Sequence, residues 1–226
     1  MLDGDQFEIG VAGDYFGFGP GTWGDREAGS LDIVPFPSFV GYPITGLFLH
    51  EGRVGILART HVVLSRSADY YQWFRQSARV LLDDDPVDIT VAGPYAGAFA
   101  SAFSWSERTF LVNEYGIFLL QGDPFLSPRT VALPFAGRVA STTSVKPQVA
   151  GDIAFFLNET PKGVQINAIS VGENLQIRTV SMNRHCPTYI TSGSSYAMAV
   201  DADFKLLVVS NGTELYFMRW TDDGMV

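Results

Sequence analysis

Four segments of the chain share one pattern of hydrophobic and polar positions, in which an apolar run, a short polar turn and a second apolar run follow each other. Each segment has the form of a β-hairpin, and the Asn211-Gly212 turn of the fourth is a strong hairpin signal. The segments begin at residues 53, 108, 152 and 205, so their starts lie 55, 44 and 53 residues apart. The pattern predicts an all-β chain with hardly any helix. The predicted hairpins span Arg53–Ser67, Arg108–Gly122, Asp152–Ser170 and Lys205–Trp220.

Hydrophobic positions within these hairpins are nearly continuous, as in Ala154–Leu157 (AFFL) and Leu206–Val209 (LLVV). Strands of this kind are buried on both faces. Sheets packed face to face around an axis provide such burial, and the repeat spacing suits the blades of a β-propeller. We therefore predict a β-propeller-like fold with about four blade-like hairpin repeats, either as a small propeller or as part of a larger one. A β-sandwich is the main alternative, although its strands would alternate more regularly.

Residues 1–45 have a different character. Gly17–Gly21 (GFGPG) indicates a turn, and prolines follow at positions 35, 37 and 43. Because proline removes a ladder donor and fixes φ, the segment is predicted to be an extended arm that lies on another part of the molecule. The predicted organisation is an N-terminal arm over residues 1–45, followed by propeller-type blades over residues 46–226. Within the blades, Ser67–Arg79 is expected to form one or two helical turns.

Composition and charge narrow the class of protein. The 226 residues are 46% hydrophobic and 17% charged, which excludes a disordered chain and suits a single domain with a sizeable core. The net charge is −9, with only three lysines. Proteins that grip nucleic acid by its phosphates need clustered Lys and Arg, so that class is excluded. An acidic wall along a DNA passage remains a hypothesis, because like charge would prevent sticking.

Cys186 is the only cysteine, so no internal disulfide is expected. The first residues, MLDGDQFEIG, lack the basic and apolar regions of a signal peptide. No apolar run approaches the roughly 20 residues that a membrane helix requires. A soluble chain without membrane insertion is therefore expected.

Candidate chemistry is sparse. His50, His61 and His185 have no ligand spacing that would build a zinc site, and ordinary strand or loop histidines are the favoured interpretation. Asp83–Asp85 is the densest acidic cluster, but it lacks the glycine and terminal glutamate of a calcium loop, so a solvated turn is favoured. The Gly17–Gly21 segment lacks the Lys-Ser/Thr pair of a phosphate loop. We predict no catalytic residue, no cofactor and no metal.

A dense aromatic cluster, flanked by arginines, is the best candidate for binding. Such clusters anchor protein interfaces or stack on glycans, and an ordinary role in the core of the first blade is equally consistent with the sequence. The predicted interface residues are Tyr70, Tyr71, Trp73, Phe74, Arg66, Arg75 and Arg79.

Several short motifs within residues 23–91 resemble those of a known protein family. The motifs are Trp23-x-x-Arg26, Pro37–Gly41 (PSFVG), Gly52–Leu57 (GRVGIL) with Val62–Arg66 (VVLSR), Asp69–Phe74 (DYYQWF) and Asp83–Asp88 (DDDPVD). Their order and approximate spacing resemble those of tail tubular protein B, the nozzle protein family of short-tailed bacteriophages. Beyond residue 91 the similarity is one of repeat style. Asp83–Asp85 is thus better interpreted as part of this signature than as a metal site.

The resemblance implies a structural role without catalysis. Members of this family assemble as six-fold rings with a propeller-like body below the head-to-tail adaptor. They channel the genome out of the virion and support the tail fibres. For this chain the resemblance implies a homo-hexameric ring in the virion tail, made in the host cytoplasm, with adaptor and fibre proteins as partners. Double-stranded DNA would pass through the ring without sequence-specific binding.

Two other functions remain open at this point. The same aromatic residues suit a carbohydrate-binding or carbohydrate-active propeller. A propeller that acts as a general scaffold for a protein partner is the third possibility, since composition does not separate it from a tail subunit.

Overall fold

The computed structural model describes residues 8–12, 15–19, 22–139, 141, 145–171, 177–221 and 224–225. In this part of the chain every helix or strand assigned is a β-strand. Two of the strands, β1 (Glu8–Ala12) and β2 (Tyr15–Gly19), form a separate antiparallel hairpin in the N-terminal arm. The predicted turn at Gly17–Gly21 is therefore wrong for residues 17–19, which pair with β1, while residues 20 and 21 lie outside the described residues.

Four antiparallel sheets follow, in which consecutive strands pair, except that the last strand of the second sheet pairs with the third strand of that sheet. Sheet 1 consists of β3 (Gly46–His50), β4 (Arg53–Ala58), β5 (His61–Leu64) and β6 (Val87–Thr90). Sheet 2 consists of β7 (Phe99–Trp105), β8 (Arg108–Asn113), β9 (Gly116–Gly122), β10 (Val131–Ala132) and β11 (Phe135–Gly137). Sheet 3 consists of β12 (Gln148–Ala150), β13 (Ile153–Thr160), β14 (Gly163–Val171) and β15 (Ile177–Ser181). Sheet 4 consists of β16 (Ala197–Asp201), β17 (Leu206–Ser210), β18 (Leu215–Thr221) and β19 (Gly224–Met225).

The four predicted hairpins are confirmed as the central strand pairs β4–β5, β8–β9, β13–β14 and β17–β18. The fourth turn shows why its sequence is such a strong signal. Gly212 has φ +90°, a conformation that other residues rarely adopt. The Asn211 side-chain oxygen accepts hydrogen bonds from the backbone amides of Thr213 and Glu214, at 3.0 and 2.8 Å.

The helical turns expected over Ser67–Arg79 are absent, because this segment consists of turns and bends. Its backbone amides donate to acceptors other than the i−4 carbonyls of a helix. The Arg66 amide donates to the Gln72 carbonyl, and the Ser67 amide donates to the Asp84 carbonyl. The side-chain oxygen of Gln72 also accepts from the amides of Trp73 and Phe74. These contacts hold the segment as an irregular loop against Sheet 1.

The sheets stack in chain order, because alternate side chains of one strand enter two different cores. In β9, Ile117 and Leu119 pack toward Sheet 3, whereas Phe118 packs toward Sheet 1. In β13, Phe156 packs toward Sheet 2, where its ring meets that of Phe103 edge to face at 5.6 Å. Its neighbour Phe155 points the other way and packs against Trp220 of Sheet 4, with ring centroids 5.0 Å apart. Sheets 1, 2 and 3 are thus covered on both faces, as the continuous apolar runs predict.

Sheet 4 departs from this pattern. Leu207 and Val209 of β17 are buried against Sheet 3, but Leu206 and Val208 are only half-buried. The expectation that this strand is buried on both faces is therefore wrong for the described structure. At the other end of the stack, the arm covers the free face of Sheet 1. The described residues accordingly form an open stack of four sheets, and no closed propeller is seen in them.

Replacing Phe156 by alanine tests the shared core between Sheets 2 and 3. The side chain is fully buried, so Phe156→Ala should lower the free energy of unfolding by about 3–5 kcal/mol through lost burial and a residual cavity. Phe204→Ala, at a well-exposed phenylalanine, should change it by less than about 0.5 kcal/mol. Urea titration followed by tryptophan fluorescence measures both. Equal effects of the two substitutions would contradict the stacked-sheet core.

Candidate functional site

Residues 22–45 of the arm lie across the face of Sheet 1 that is turned away from Sheet 2. Its apolar anchor is Phe39, which packs with Trp73 and with Ile56 and Val63 of the sheet. The Phe39 and Trp73 rings meet edge to face at 5.2 Å, and Trp23 approaches Trp73 at 5.9 Å. Aromatic pairs of this geometry add to the stabilisation from buried area. The arm is therefore held by a hydrophobic core of its own.

Arg26 holds residues 34–36 of the arm in place through contacts with its guanidinium group. Its guanidinium carbon lies 5.3 Å from the ring centre of Phe36 and 5.0 Å from that of Phe74. Its Nε donates a 3.0 Å hydrogen bond to the carbonyl of Val34. The charge is stabilised by the two ring faces, and the arm is bent around it.

A second arginine ties the arm to the loop after Sheet 1's β5. Arg66 donates two hydrogen bonds to the Glu27 carboxylate, at 3.1 and 2.9 Å, and Gln72 donates a third to it at 3.0 Å. The Arg66 hydrogen bond lowers the pKa of Glu27 below its ordinary value of 4.5. A two-point contact of this kind specifies orientation as well as adding energy. Glu27 is thus a polar latch for the arm.

The predicted interface residues divide into two groups in the structure. Trp73 and Phe74 are buried beneath the arm, and Arg66 is engaged by Glu27. Arg75 donates a 3.3 Å hydrogen bond to the carbonyl of Ile33, so it also faces the arm. The remaining residues of the cluster, Tyr70, Tyr71 and Arg79, are exposed. Their role at an interface stays a prediction.

The acidic loop has a structural explanation that the sequence alone does not reveal. Arg53 is buried at the start of β4 and donates 2.8 Å hydrogen bonds to the carbonyls of Ser65 and Asp85, and a 2.9 Å bond to that of Asp83. The buried Asp85 carboxylate accepts from the amides of Gln76 and Leu82, at 2.9 and 2.8 Å. Burial lowers the pKa of Arg53. The carbonyl oxygens of this loop and the Asp85 carboxylate therefore accept hydrogen bonds from donors within the protein.

Sequence reasoning missed the role of Arg53, because an arginine that opens an apolar strand is not by itself a sign of burial. Arg53 opens β4 and is buried, whereas Arg108 opens β8 and is exposed. The five motifs quoted above also meet in this region. The arm with Trp23, Arg26 and Phe39, strands β4 and β5, and the loop over residues 66–88 all lie at the outer end of Sheet 1.

The three histidines do not come together as ligands. His50 Nδ1 lies 2.9 Å from Thr109 Oγ1, and burial lowers the pKa of His50 below 6.5. His61 Nδ1 lies 2.7 Å from Thr90 Oγ1, and its ring stacks on Tyr42. His185 follows β15, beside the exposed Cys186. No group of three His, Cys, Asp or Glu side chains in the described ranges is placed to hold a metal ion. Nor does that part of the chain contain a helix that could cross a membrane.

The structure is an all-β stack with an arm latched over one end, and comparison with known proteins gives its family. The family model described as bacteriophage nozzle protein matches residues 9–224, so the chain belongs to the phage nozzle protein family. The chain is also 25% identical, over 173 residues, to tail tubular protein gp12 of Escherichia phage T7. That match covers 76% of this chain and 22% of the T7 protein, so the chain spans well under a third of this relative. The resemblance noted from the motifs is confirmed.

Removing the Arg53 guanidinium should destabilise the loop that it organises. Arg53→Met leaves the carbonyls of Ser65, Asp83 and Asp85 without this donor, two of them in buried hydrogen bonds, and we expect a loss of about 2–4 kcal/mol in the free energy of unfolding. Arg108→Met, at an exposed arginine that also opens a central strand, is the matched control and should cost less than about 0.5 kcal/mol. Denaturant unfolding measures both. An Arg53→Met chain as stable as the control would show that the loop is formed without this arginine.

The Glu27 latch should give the arm an acid-dependent stability. A folded-state pKa below 4.5 means that the contribution is present above this value and is lost as pH falls through the lower folded pKa. Because the pair is partly exposed, Glu27→Gln should lower the free energy of unfolding by about 0.5 kcal/mol near pH 7. The difference from the wild type should shrink toward about pH 3. Glu107→Gln serves as the exposed control. A gap of the same size at both pH values would exclude a charge-dependent latch.

Proposed function

We propose that the chain acts as a subunit of a phage tail nozzle, which channels DNA during ejection and supports neighbouring tail proteins by assembly. The observation that carries this proposal is the nozzle family match along nearly the whole chain. The T7 relative is described as a tail tubular protein, which agrees with a role in the virion tail. Nozzle proteins are a structural family, and the site found at the arm is built for holding parts together.

Within this role, the four sheets are blades of a larger propeller. Sheets 1, 3 and 4 are four-stranded antiparallel meanders, and Sheet 2 is a similar meander with a fifth strand. The first strands β3 and β7 of Sheets 1 and 2 lie beside each other, and so do β12 and β16 of Sheets 3 and 4. Thr45, just before β3, donates a 2.6 Å hydrogen bond to the carbonyl of Phe99, the first residue of β7. First strands brought together along one side, with later strands further out, are the arrangement of a propeller around its axis.

The partners follow from the same role. The chain forms a homo-hexameric ring in the tail, bound to the head-to-tail adaptor and to the tail fibres, after synthesis in the host cytoplasm. Tyr70, Tyr71 and Arg79 contribute to its interfaces, because tyrosine and arginine exposed next to a rigid core are favoured there. Double-stranded DNA passes the ring without sequence-specific binding, and the net charge of −9 supports passage without adhesion.

Incorporation into virions tests this function. An epitope-tagged chain, supplied during infection by the phage that encodes it, should be recovered in purified particles and located at the tail by immunogold electron microscopy. Tyr70→Ala with Tyr71→Ala should reduce incorporation severalfold without loss of folding, because both side chains are exposed. Phe204→Ala is an exposed aromatic control away from the arm. Particles that contain other tail proteins but lack the tagged wild-type chain would contradict the proposal.

A further inference from the structure

Residues 22–40 of the arm, which we call the strap, are attached to the rest of the molecule by few backbone hydrogen bonds. Among the described residues, two strap amides donate outside it: Gly24 donates to the Tyr71 carbonyl at 2.9 Å, and Ser38 donates to the Asp88 carboxylate at 2.8 Å. The other paired amides of the strap close turns within it. The strap can therefore leave Sheet 1 without breaking a strand ladder.

Buried donors without a protein acceptor collect at the strap. In the described part of the chain, five buried side-chain nitrogen or oxygen atoms have no hydrogen-bond partner within the protein, and three of them lie in or beneath the strap. They are Arg26 Nη2, Arg66 Nε and Trp73 Nε1. Such a donor costs free energy while it is buried, and it gains hydrogen bonds to water when it becomes exposed. These donors thus favour an open strap and oppose its apolar contacts.

The apolar contacts of the strap form a core of their own. Phe39 packs with Ile56, Val63 and Trp73, and the buried residues of this cluster are distinct from those of the cores between Sheets 1 and 2. The Glu27 latch adds little, because its carboxylate is partly exposed. Opening of the strap would therefore remove one small cluster and leave the packing of the sheets on each other intact.

Gly41 is placed to act as the hinge of the strap. Its φ is +86°, and apart from its chain neighbours no heavy atom lies within 4 Å of the position that a Cβ would occupy. The chain is anchored directly after it. The Tyr42 ring stacks on His61 with 6.1 Å between ring centroids, and Thr45 Oγ1 donates to the carbonyl of Phe99 at 2.6 Å. A glycine in open space between a detachable segment and an anchored one absorbs rotation at little cost.

We propose that the strap opens from Sheet 1 as a unit, by rotation at Gly41, while the four sheets remain folded. The closed and open states are two conformations in equilibrium, and the closed one is the majority. Opening uncovers Ile56, Val63 and Trp73, so the outer end of the stack alternates between a covered and an accessible apolar face. This motion is a property of the fold and does not depend on the proposed role in the tail.

Thiol labelling under native conditions tests the opening. Cys186, the only cysteine and an exposed one, is first replaced by serine. Val34→Cys then places a thiol in the strap, and Val112→Cys places one in the core between Sheets 2 and 3; both valines are 2% exposed. Reaction with an aromatic disulfide reagent should be at least about 100-fold faster at position 34, because local opening needs less free energy than global unfolding.

Two labelling results would overturn the proposal. Equal rates at the two positions would show that the strap separates only when the whole chain unfolds, and a rate at position 34 as high as that of Cys186 would show that the strap is never closed. Hydrogen exchange of the unsubstituted chain, followed by NMR, repeats the test without a substitution. The Gly24 and Ser38 amides should exchange at least about 100-fold faster than the amides of β13, yet more slowly than in an unfolded chain. Exchange at the same rate as β13 contradicts a separate opening.

Two glycine substitutions test the hinge. Gly41→Ala strains the closed state, because alanine rarely adopts a φ of +86°, so labelling at position 34 should rise severalfold. Gly93→Ala is the matched control, at a glycine with φ +108° and equally open surroundings. It strains the open and closed states alike, so labelling at position 34 should stay unchanged. An equal rise with both substitutions, or no rise with Gly41→Ala, would overturn the proposal.

Discussion

Burial of strands on both faces is the constraint on which this structure depends. A strand such as β13 sends Phe155 into one core and Phe156 into the next, so neither core exists without the sheet between them. The free energy gained from apolar burial is therefore shared between neighbouring layers, roughly 25 cal/mol per Å² on each side. A sheet of this composition is stable only within a stack, and an open stack of such sheets has two ends that must be covered in some other way.

The arm closes one of these ends. It covers Sheet 1 with Phe39 and Trp73, and polar contacts from Arg26 and Glu27 determine where it lies. These contacts depend on the irregular loop after β5, whose shape is held by Arg53. The five motifs that resemble the nozzle family meet in this region, where altering the loop would displace the partners of the arm.

Sequence reasoning succeeded where the signal was local and failed where it depended on packing. The central hairpins follow from apolar runs and turn residues, and the Asn211-Gly212 turn behaves as its chemistry requires. The edge strands β12 and β16 lie outside the predicted hairpins and carry no turn signal of their own, so their pairing is decided by the neighbouring strand. Aromatic spacing over residues 67–79 suggested helical turns, but Gln72 and Asp84 accept the amides that a helix would use. In the same cluster, only tertiary structure separates the buried Trp73 from the exposed Tyr71, because both have similar neighbours in sequence.

Several arginines of this acidic chain are engaged within the protein itself. Three of the twelve arginines have their guanidinium groups engaged inside the protein. Arg26 contacts aromatic rings, Arg53 donates to backbone carbonyls, and Arg66 donates to Glu27. Positive charge is thus used to hold the arm and the loop together, where it is desolvated and specific. The surface keeps an excess of carboxylates, and counterion release from DNA has no clustered cations to act through. A conduit made of such subunits would gain its stability from internal cations and its low adhesion from external anions, so the same charge distribution serves both requirements.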